Sequence, residues 1–382
     1  MNNSILNNKR IREVFPEQSI ITKLNSGDKL IIKSGIDPTT TDLHFGHLLG
    51  LMLLKDFIRL GHRVIFILGD FTAQLGDGIE RPQLSLSQTK ENSEKLILFL
   101  NKFFNSDNFH IRKQSEWFEN ITFEKLISHF SKISLRKLLS RGTTDEKLSA
   151  NVNMNLHEFI YPVLMAIDSI ETKPDIEMGS IEQKFNLEIC RELMEKKGIE
   201  PEDVIINQRL RGIDGSEKMS KSQNNFIGIF ENTDIQVEKI LKIPNDLIFE
   251  FLDLLTDITA EEINGLRKSN NWLEAKKLLI FNVLILFHDA TDVQNAWNDC
   301  MNHGLRNIKN INLKLTEIKG SSIVKILLKK GFITSKREIK RNILSGKIKL
   351  NGKGISQEML DKILIKGDQI TIGKNIILNI TD

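Results

Sequence analysis

Tyrosine is all but missing from this chain: there is one, Tyr161, beside 21 phenylalanines. The bias identifies no function, but it singles out one phenol among 382 residues. Cysteine is scarce too. Cys190 and Cys300 stand far apart, which excludes a disulfide framework and a thiolate metal cluster. Long apolar runs are absent. The most apolar stretch, Leu278–Phe287, is short and contains Asn282, so it reads as a buried helix and no membrane span is expected. Residues Met1 to Phe15 carry polar and charged groups without an apolar core, so no secretory leader is expected, and the expected setting is the cytoplasm.

What is present suits a folded protein of two or three domains. The chain weighs 43.8 kDa and is 40% hydrophobic and 27% charged, enough apolar matter to bury a core. Its net charge of +3 hides an asymmetry. Ser321 to Asp382 holds 13 Lys and Arg against 5 Asp and Glu, a balance of +8, while the preceding residues carry −5. A basic tail on a mildly acidic body suits a polyanion such as a nucleic acid, and charge alone leaves a solvated Lys-rich face equally open.

Near the start, a strand is expected at Lys29–Lys33, then Gly35-Ile36-Asp37-Pro38, with Thr41 and Asp42 as candidate N-caps. Leu49, Met52, Leu53 and Phe57 follow at helical spacing, Gly61 closes the helix, and Val64–Leu68 is an apolar strand. Strand, helix and buried strand in this order make a βαβ unit of a parallel sheet, which binds ligands at the carboxyl ends of its strands. Further helices are expected at Thr122–Leu139 and Leu187–Lys197. Within the helical region Asp234–His303, Trp272, Leu273, Leu278 and Leu279 are core candidates. The polar, Lys-rich Asn307–Gly320 reads as a linker. In the tail, helices Ile323–Lys330 and Lys336–Leu344 precede strands near Ile348–Leu350, Gln369–Ile372 and Ile376–Ile380.

Two motifs carry chemistry. In His44-Phe45-Gly46-His47 the imidazoles share one face at the start of a helix, where free amides and the dipole favour a phosphate. Gly46 lets a flat ligand such as a purine approach. Lys218-Met219-Ser220-Lys221-Ser222 lies between the loop formers Asp214-Gly215 and Asn224-Asn225. Such a loop can fold over a triphosphate and follow the charge as pyrophosphate leaves. Asp168 lies seven residues beyond Tyr161, on the same face of a helix.

The pair of motifs resembles the two signatures of class I aminoacyl-tRNA synthetases. The wider pattern resembles the bacterial tyrosyl-tRNA synthetases over nearly the whole chain. Supporting stretches are Gly35-Ile36-Asp37-Pro38-Thr39, Gly69-Asp70-Phe71-Thr72-Ala73 with Gly76-Asp77, Leu156-His157-Glu158-Phe159-Ile160-Tyr161-Pro162, Gln183-Lys184-Phe185-Asn186 and Gly212-Ile213-Asp214-Gly215. The tail resembles an S4-type RNA-binding domain through Ser335-Lys336-Arg337-Glu338 and Lys349-Leu350-Asn351-Gly352.

The resemblance implies an α/β, Rossmann-like parallel-sheet catalytic domain over 1–230 with a helical insertion at about 115–165. It further implies a helical tRNA-side domain over 231–306, a linker over 307–320 and a small α+β S4-like domain over 321–382. It implies ATP, accompanied by Mg2+ without a protein metal cage, and tyrosine and tRNA(Tyr) as partners. A homodimer is implied, with its interface around Thr122–Leu164. By resemblance, His44, His47, Lys218 and Lys221 stabilise the phosphates. Asp37, Thr39, Gly46, Glu182, Met219 and Ser220 line the ATP site. Gly35, Asp77, Tyr161, Met165, Asp168 and Gln183 line the amino-acid site. Lys336, Arg337, Lys340, Arg341, Lys347 and Lys349 contact RNA.

Two single positions and one short stretch depart from the family. Met165 stands where a glutamine is usual, and Ile167 where an aromatic is common. Gly179-Ser180-Ile181-Glu182-Gln183 replaces Gly-Gly-Thr-Asp-Gln. A thioether cannot accept a strong bond from an ammonium group. A tyrosine–tRNA ligase, a paralogue activating another amino or aryl acid, and a non-catalytic RNA-binding homologue are therefore the competing expectations.

Overall fold

The computed structural model describes residues 2–39, 43–75, 84–140, 155–220, 223–303, 309–318, 320–333, 335–373 and 376–381. The chain divides into two units: Met1–Phe226 with Asp246–Lys268, and Ile227–Asn245 with Ser269–Asp382.

The first unit is built on six strands, β1 (Ile11–Phe15), β2 (Ile31–Ile36), β3 (Arg63–Leu68), β4 (Phe109–Lys113), β5 (Ile176–Gly179) and β6 (Asp203–Asn207). Their order is β1-β6-β5-β2-β3-β4, parallel except for β1 against β6. The chain winds outward from β2 to β4, then returns to β5 beside β2. A crevice opens where the winding reverses. This is an α/β, Rossmann-like fold. Ile32, Val64, Leu68, Ile176 and Ile205 are fully buried, as expected where both faces of a sheet are covered.

β2 lies further along the chain than its expected position. Ser34, Gly35 and Ile36 pair with Phe66, Ile67 and Leu68, so the strand runs up to the Asp37 turn. Gly35 fits because a Cβ there would stand 2.9 Å from the Ile67 carbonyl oxygen. The helix Phe45–Arg59 crosses from β2 to β3 and buries Phe45, Leu48, Leu49, Leu53 and Phe57. The helix expected over Thr122–Leu139 is two helices, Phe123–Phe130 and Leu135–Leu139. Thr122 caps the first, accepting from the Lys125 amide at 3.2 Å. Ser134 occupies the N-cap position of the second, because serine favours caps over helix interiors.

The helices Ile248–Leu255 and Ala260–Lys268 fall in the first unit, although the sequence suggests a middle domain for them. Buried Arg10 ties them in. Its guanidinium donates to the carbonyls of Leu254 (2.9 Å) and Thr256 (3.2 Å), and to Asp257 and Asp56.

The second unit contains the helices Thr233–Leu241, Trp272–Leu284 and Ala290–His303. Leu279 is fully buried as expected, but Leu273 is exposed, because the buried stripe runs through Ala275, Leu279, Ile280 and Val283. The tail forms a five-stranded sheet of β7 (Lys309–Lys314), β8 (Ile348–Leu350), β9 (Lys353–Gly354), β10 (Gln369–Ile372) and β11 (Ile376–Thr381), in the order β7-β11-β10-β8-β9. The helices Ile323–Lys329 and Lys336–Leu344 accompany it.

The structure differs here from the expected linker at 307–320. Lys309–Lys314 is a strand parallel to β11, and Leu313 and Ile318 sit in the tail's apolar core. The alternation Ile311-Asn312-Leu313-Lys314 is a strand pattern that the lysine content obscured.

Candidate active site

The first phosphate-handling element is a helix start. His44, rather than Thr41 or Asp42, is the N-cap of Phe45–Arg59; those two residues lie outside the described ones. The Gly46 amide donates to His44 Nδ1 at 3.1 Å, and the His44 amide donates to His47 Nδ1 at 3.2 Å. Both Nδ1 atoms therefore act as acceptors, which puts the proton of each neutral ring on Nε2. The ring centroids lie 4.0 Å apart. A Cβ on Gly46 would meet His44 Cε1 at 2.9 Å, so glycine is required to seat this imidazole.

The second element is the lysine loop. Buried Asn225 is its hub. Its Oδ1 accepts from the Ser220 amide at 2.7 Å, and its amide group donates to the Lys218 carbonyl, Ser216 and Asp214. Met219 is buried, and its amide donates to the Leu210 carbonyl at 3.1 Å. Lys218 Nζ lies 3.3 Å from Glu182 Oε1, to which Arg209 also donates at 2.8 Å. Burial would raise the Glu182 pKa. Hydrogen bonds from its own backbone amide and from Ser180, and then the Lys218 and Arg209 charges, outweigh it and hold it down at about 2. Lys221, expected beside Lys218, lies outside the described residues.

At the carboxyl end of β2, Asp37 gathers two side chains. Tyr161 donates its phenol proton to Asp37 Oδ2 at 2.8 Å. The Thr72 hydroxyl lies 2.7 Å from Asp37 Oδ1 and 2.8 Å from Gln114 Oε1, and its single proton serves one at a time. Gly69 must be glycine, since a Cβ would fall 2.0 Å from Asp37 Oδ1. The Thr39 amide donates to the Asp37 carbonyl at 2.7 Å, closing the turn.

Asp168 lies deeper on the Tyr161 helix, Leu156–Thr172, and is buried. Its carboxylate accepts from Gln114 Nε2 at 2.8 Å and Trp117 Nε1 at 3.2 Å. Burial pushes its pKa up to about 7. Lys33 and the two hydrogen bonds pull it down, while Asp37 adds to the rise. Gln183 accepts from Asn186 at 2.6 Å. Met165 is half-buried against the apolar core, as is expected of a thioether, and Ile167 beside it is fully buried. Asp77 lies outside the described residues.

In the tail, Arg337, Lys340 and Arg341 occupy the exposed face of the helix Lys336–Leu344, opposite buried Ile339 and Ile343. Ser335 caps that helix, accepting from the Glu338 amide at 3.2 Å. Lys347 is exposed and Lys349 half-buried, at the β8 end.

The sequence motifs did not single out Gln114, Trp117, Lys33, Asn225 or Arg209. Asn225 was visible as a loop former and Lys33 as a lone charge inside the apolar strand Ile31–Ile36.

The family described as tRNA synthetases class I (W and Y) matches residues 25–301. The tyrosine–tRNA ligase of Aquifex aeolicus (strain VF5) is 35% identical, covering 95% of this chain and 94% of that one. Tyrosine–tRNA ligase 2 of Photorhabdus laumondii is 36% identical, covering 91% and 90%. Among solved structures, a C-terminally truncated mitochondrial tyrosyl-tRNA synthetase of Aspergillus nidulans shares the fold with a TM-score of 0.64, at 17% identity over 78% of this chain and 92% of that one. The matched family spans most of the chain and the relatives match nearly end to end, so the chain belongs to the tyrosine–tRNA ligase family of the class I tRNA synthetases.

Proposed function

We propose that this site activates tyrosine with ATP and transfers it to the 3′ end of tRNA(Tyr). A carboxylate oxygen of the amino acid attacks the α-phosphorus, and the bond to pyrophosphate breaks. The 3′-terminal ribose hydroxyl then attacks the carbonyl carbon and AMP leaves. No protein nucleophile is needed, so catalysis is positioning and charge stabilisation. The Nε2–H groups of His44 and His47 suit the transferring phosphoryl group, and Lys218 with Lys221 suits the departing pyrophosphate. Thr39 and Gly46 fall on the nucleotide side. Glu182 suits the adenylate ribose, and the Lys218 bond to it is exchanged when phosphates arrive. Tyr161, Asp77 and Gln183 suit the ammonium side, and Asp168 the phenol.

The observation that carries this reading is the meeting of Asp37, Tyr161 and Thr72 at the carboxyl end of β2, in the same unit as the paired imidazoles. Magnesium is read as part of the ATP substrate. The one His, Cys, Asp and Glu group with ligand spacing among the described residues, Glu177, Cys190 and Glu202, surrounds the Lys33 ammonium instead.

The tail is read as an S4-like RNA-binding domain, supported by its exposed Arg337, Lys340 and Arg341. Lys336 opens the same helix. Self-association as a homodimer is supported by exposed Phe123, Ile127, Leu135 and Leu156 in and beside the insertion. No helix among the described residues is long and apolar enough to cross a membrane. A cytoplasmic setting fits a substrate set of tRNA and ATP.

The test is ATP–pyrophosphate exchange with each amino acid in turn, followed by charging of tRNA. Exchange with tyrosine and transfer to tRNA is the expected outcome. Exchange with another acid alone overturns the assignment.

A further inference from the structure

Two neighbouring parallel strands, β5 and β6, end side by side. In their register Gly179 faces Ile206. Three residues beyond that pair stand Glu182 on one segment and Arg209 on the other, and Arg209 Nη2 donates to Glu182 Oε1 at 2.8 Å. Lys218 Nζ approaches the same oxygen at 3.3 Å. Two cations thus share one carboxylate oxygen past the carboxyl ends of parallel strands, where such sheets hold nucleotides.

The two cations are held differently. Their chain neighbours are joined: the Met219 amide donates to the Leu210 carbonyl at 3.1 Å, and both of those side chains are buried. Arg209 stands two residues past the end of β6, and its Nε is buried without a hydrogen-bond partner among the described residues. The Lys218 side chain is 53% exposed, on a flexible four-carbon stem. A polyphosphate carries more negative charge than one carboxylate, so it draws the lysine away. The guanidinium stays behind, charged at every working pH. An ion pair as open as Arg209 with Glu182 adds little to stability, so upkeep of the fold does not account for it.

We infer that Arg209 is a positioning residue for the nucleotide: it holds the Glu182 carboxylate on the ribose hydroxyls while Lys218 leaves for the phosphates. This rests on the reading of Glu182 as the ribose ligand. A glutamate side chain has several torsions to fix, and one released by its lysine is free to turn away from a ribose. Arg209 removes that freedom through Oε1, and an ionised carboxylate with that donor bound keeps acceptor capacity for a hydroxyl. Its part is placement and not charge state. Burial raises the Glu182 pKa, and among the groups that lower it the Glu182 backbone amide and Ser180 count for more than Lys218 and Arg209. The carboxylate therefore stays ionised when the lysine departs.

The test compares ATP with 2′,3′-dideoxy-ATP, which lacks both ribose hydroxyls, in tyrosine-dependent pyrophosphate exchange. In Arg209→Met, kcat/KM for ATP should fall about tenfold while that for the dideoxy nucleotide changes less than about twofold, so the preference for ATP falls about tenfold. KM for tyrosine should hold. A merely structural role, or a lost phosphate contact, would weaken both nucleotides equally, and that result overturns the inference, as does a preference equal to the parent's. Adding Arg209→Met to Glu182→Gln should cost no further preference, because the carboxylate that Arg209 places is already gone. A second, independent loss there would mean that Arg209 reads the nucleotide itself, and it overturns the inference. Should Arg209→Met not fold, Arg209→Gln replaces it with the same expected and overturning results. An unmodified chain that exchanges with tyrosine but shows no preference for ATP overturns the ribose reading of Glu182, and no exchange with tyrosine overturns the proposed activity as well.

Discussion

The single tyrosine of the chain ends on Asp37, at the mouth of the first βαβ turn. A hydrogen bond to an ionised partner is worth about 1.5–3 kcal/mol when its loss leaves the acceptor unmet. Tyr161→Phe should therefore raise the KM for tyrosine in pyrophosphate exchange about tenfold or more, while KM for ATP holds. An unchanged tyrosine KM would place the phenol outside the pocket. Tyr161, His44, His47 and Lys218 could be named as candidates because each stands in a short stretch that resembles the family's. Gln114 and Trp117 were not. Their role depends on β4 standing beside β3, which brings them to an aspartate on a helix far along the chain. Lys33 was visible as a charge in an apolar strand, but its partner Glu177 is set by strand register, which one sequence does not show.

The helix start at His44 is stabilised by reciprocal ring-to-amide bonds, and the lysine loop by one polar hub. For the loop it is Asn225, which bonds the Lys218 carbonyl and the Ser220 amide at once. Asn225→Ala releases both. Adenylate formation measured by rapid quench should slow about tenfold, with tyrosine binding at equilibrium unaltered. A variant as fast as the parent would mean the loop is ordered by its ligand alone.

The insertion carries a different liability. His129, in the helix Phe123–Phe130, is buried, and neither ring nitrogen has a hydrogen-bond partner among the described residues. Burial, and then Lys197 and Lys125, depress its pKa from 6.5 to about 4. A depressed histidine contributes stability that is present above 6.5 and lost as pH falls toward 4, because the unfolded chain takes the proton first. His129→Leu should flatten the fall of the thermal midpoint across that window. Parallel curves for the two proteins would exclude the histidine as the cause. The two-helix form of this insertion was missed because its apolar spacing continues across Ser131–Ser134, and only the capping serines mark the break.

Across the molecule, the tail begins earlier than its charge suggests, because β7 completes the tail sheet alongside β11. A cut after Gly320 leaves β7 without its partner strand, an exposed edge prone to association. A cut after His303 removes the strand with its sheet. The shorter protein should form adenylate at the parent rate, charge tRNA at least tenfold more slowly, and stay soluble where the longer truncate aggregates. Loss of adenylate formation in the shorter truncate would mean that the tail supports the catalytic unit. The parallel sheet was readable from the order strand, helix, strand, whereas β7 was hidden by lysines and asparagines that a solvated strand tolerates as well as a loop does. Activation as proposed needs only ATP and the amino acid, so the site should make tyrosyl-adenylate without RNA. Its most direct measure is a single-turnover assay of pyrophosphate release with ATP and one amino acid, in the absence of tRNA. The expected result is a burst with tyrosine, stoichiometric with functional sites, and none with phenylalanine. No burst with tyrosine, or a burst with a different acid only, would contradict it.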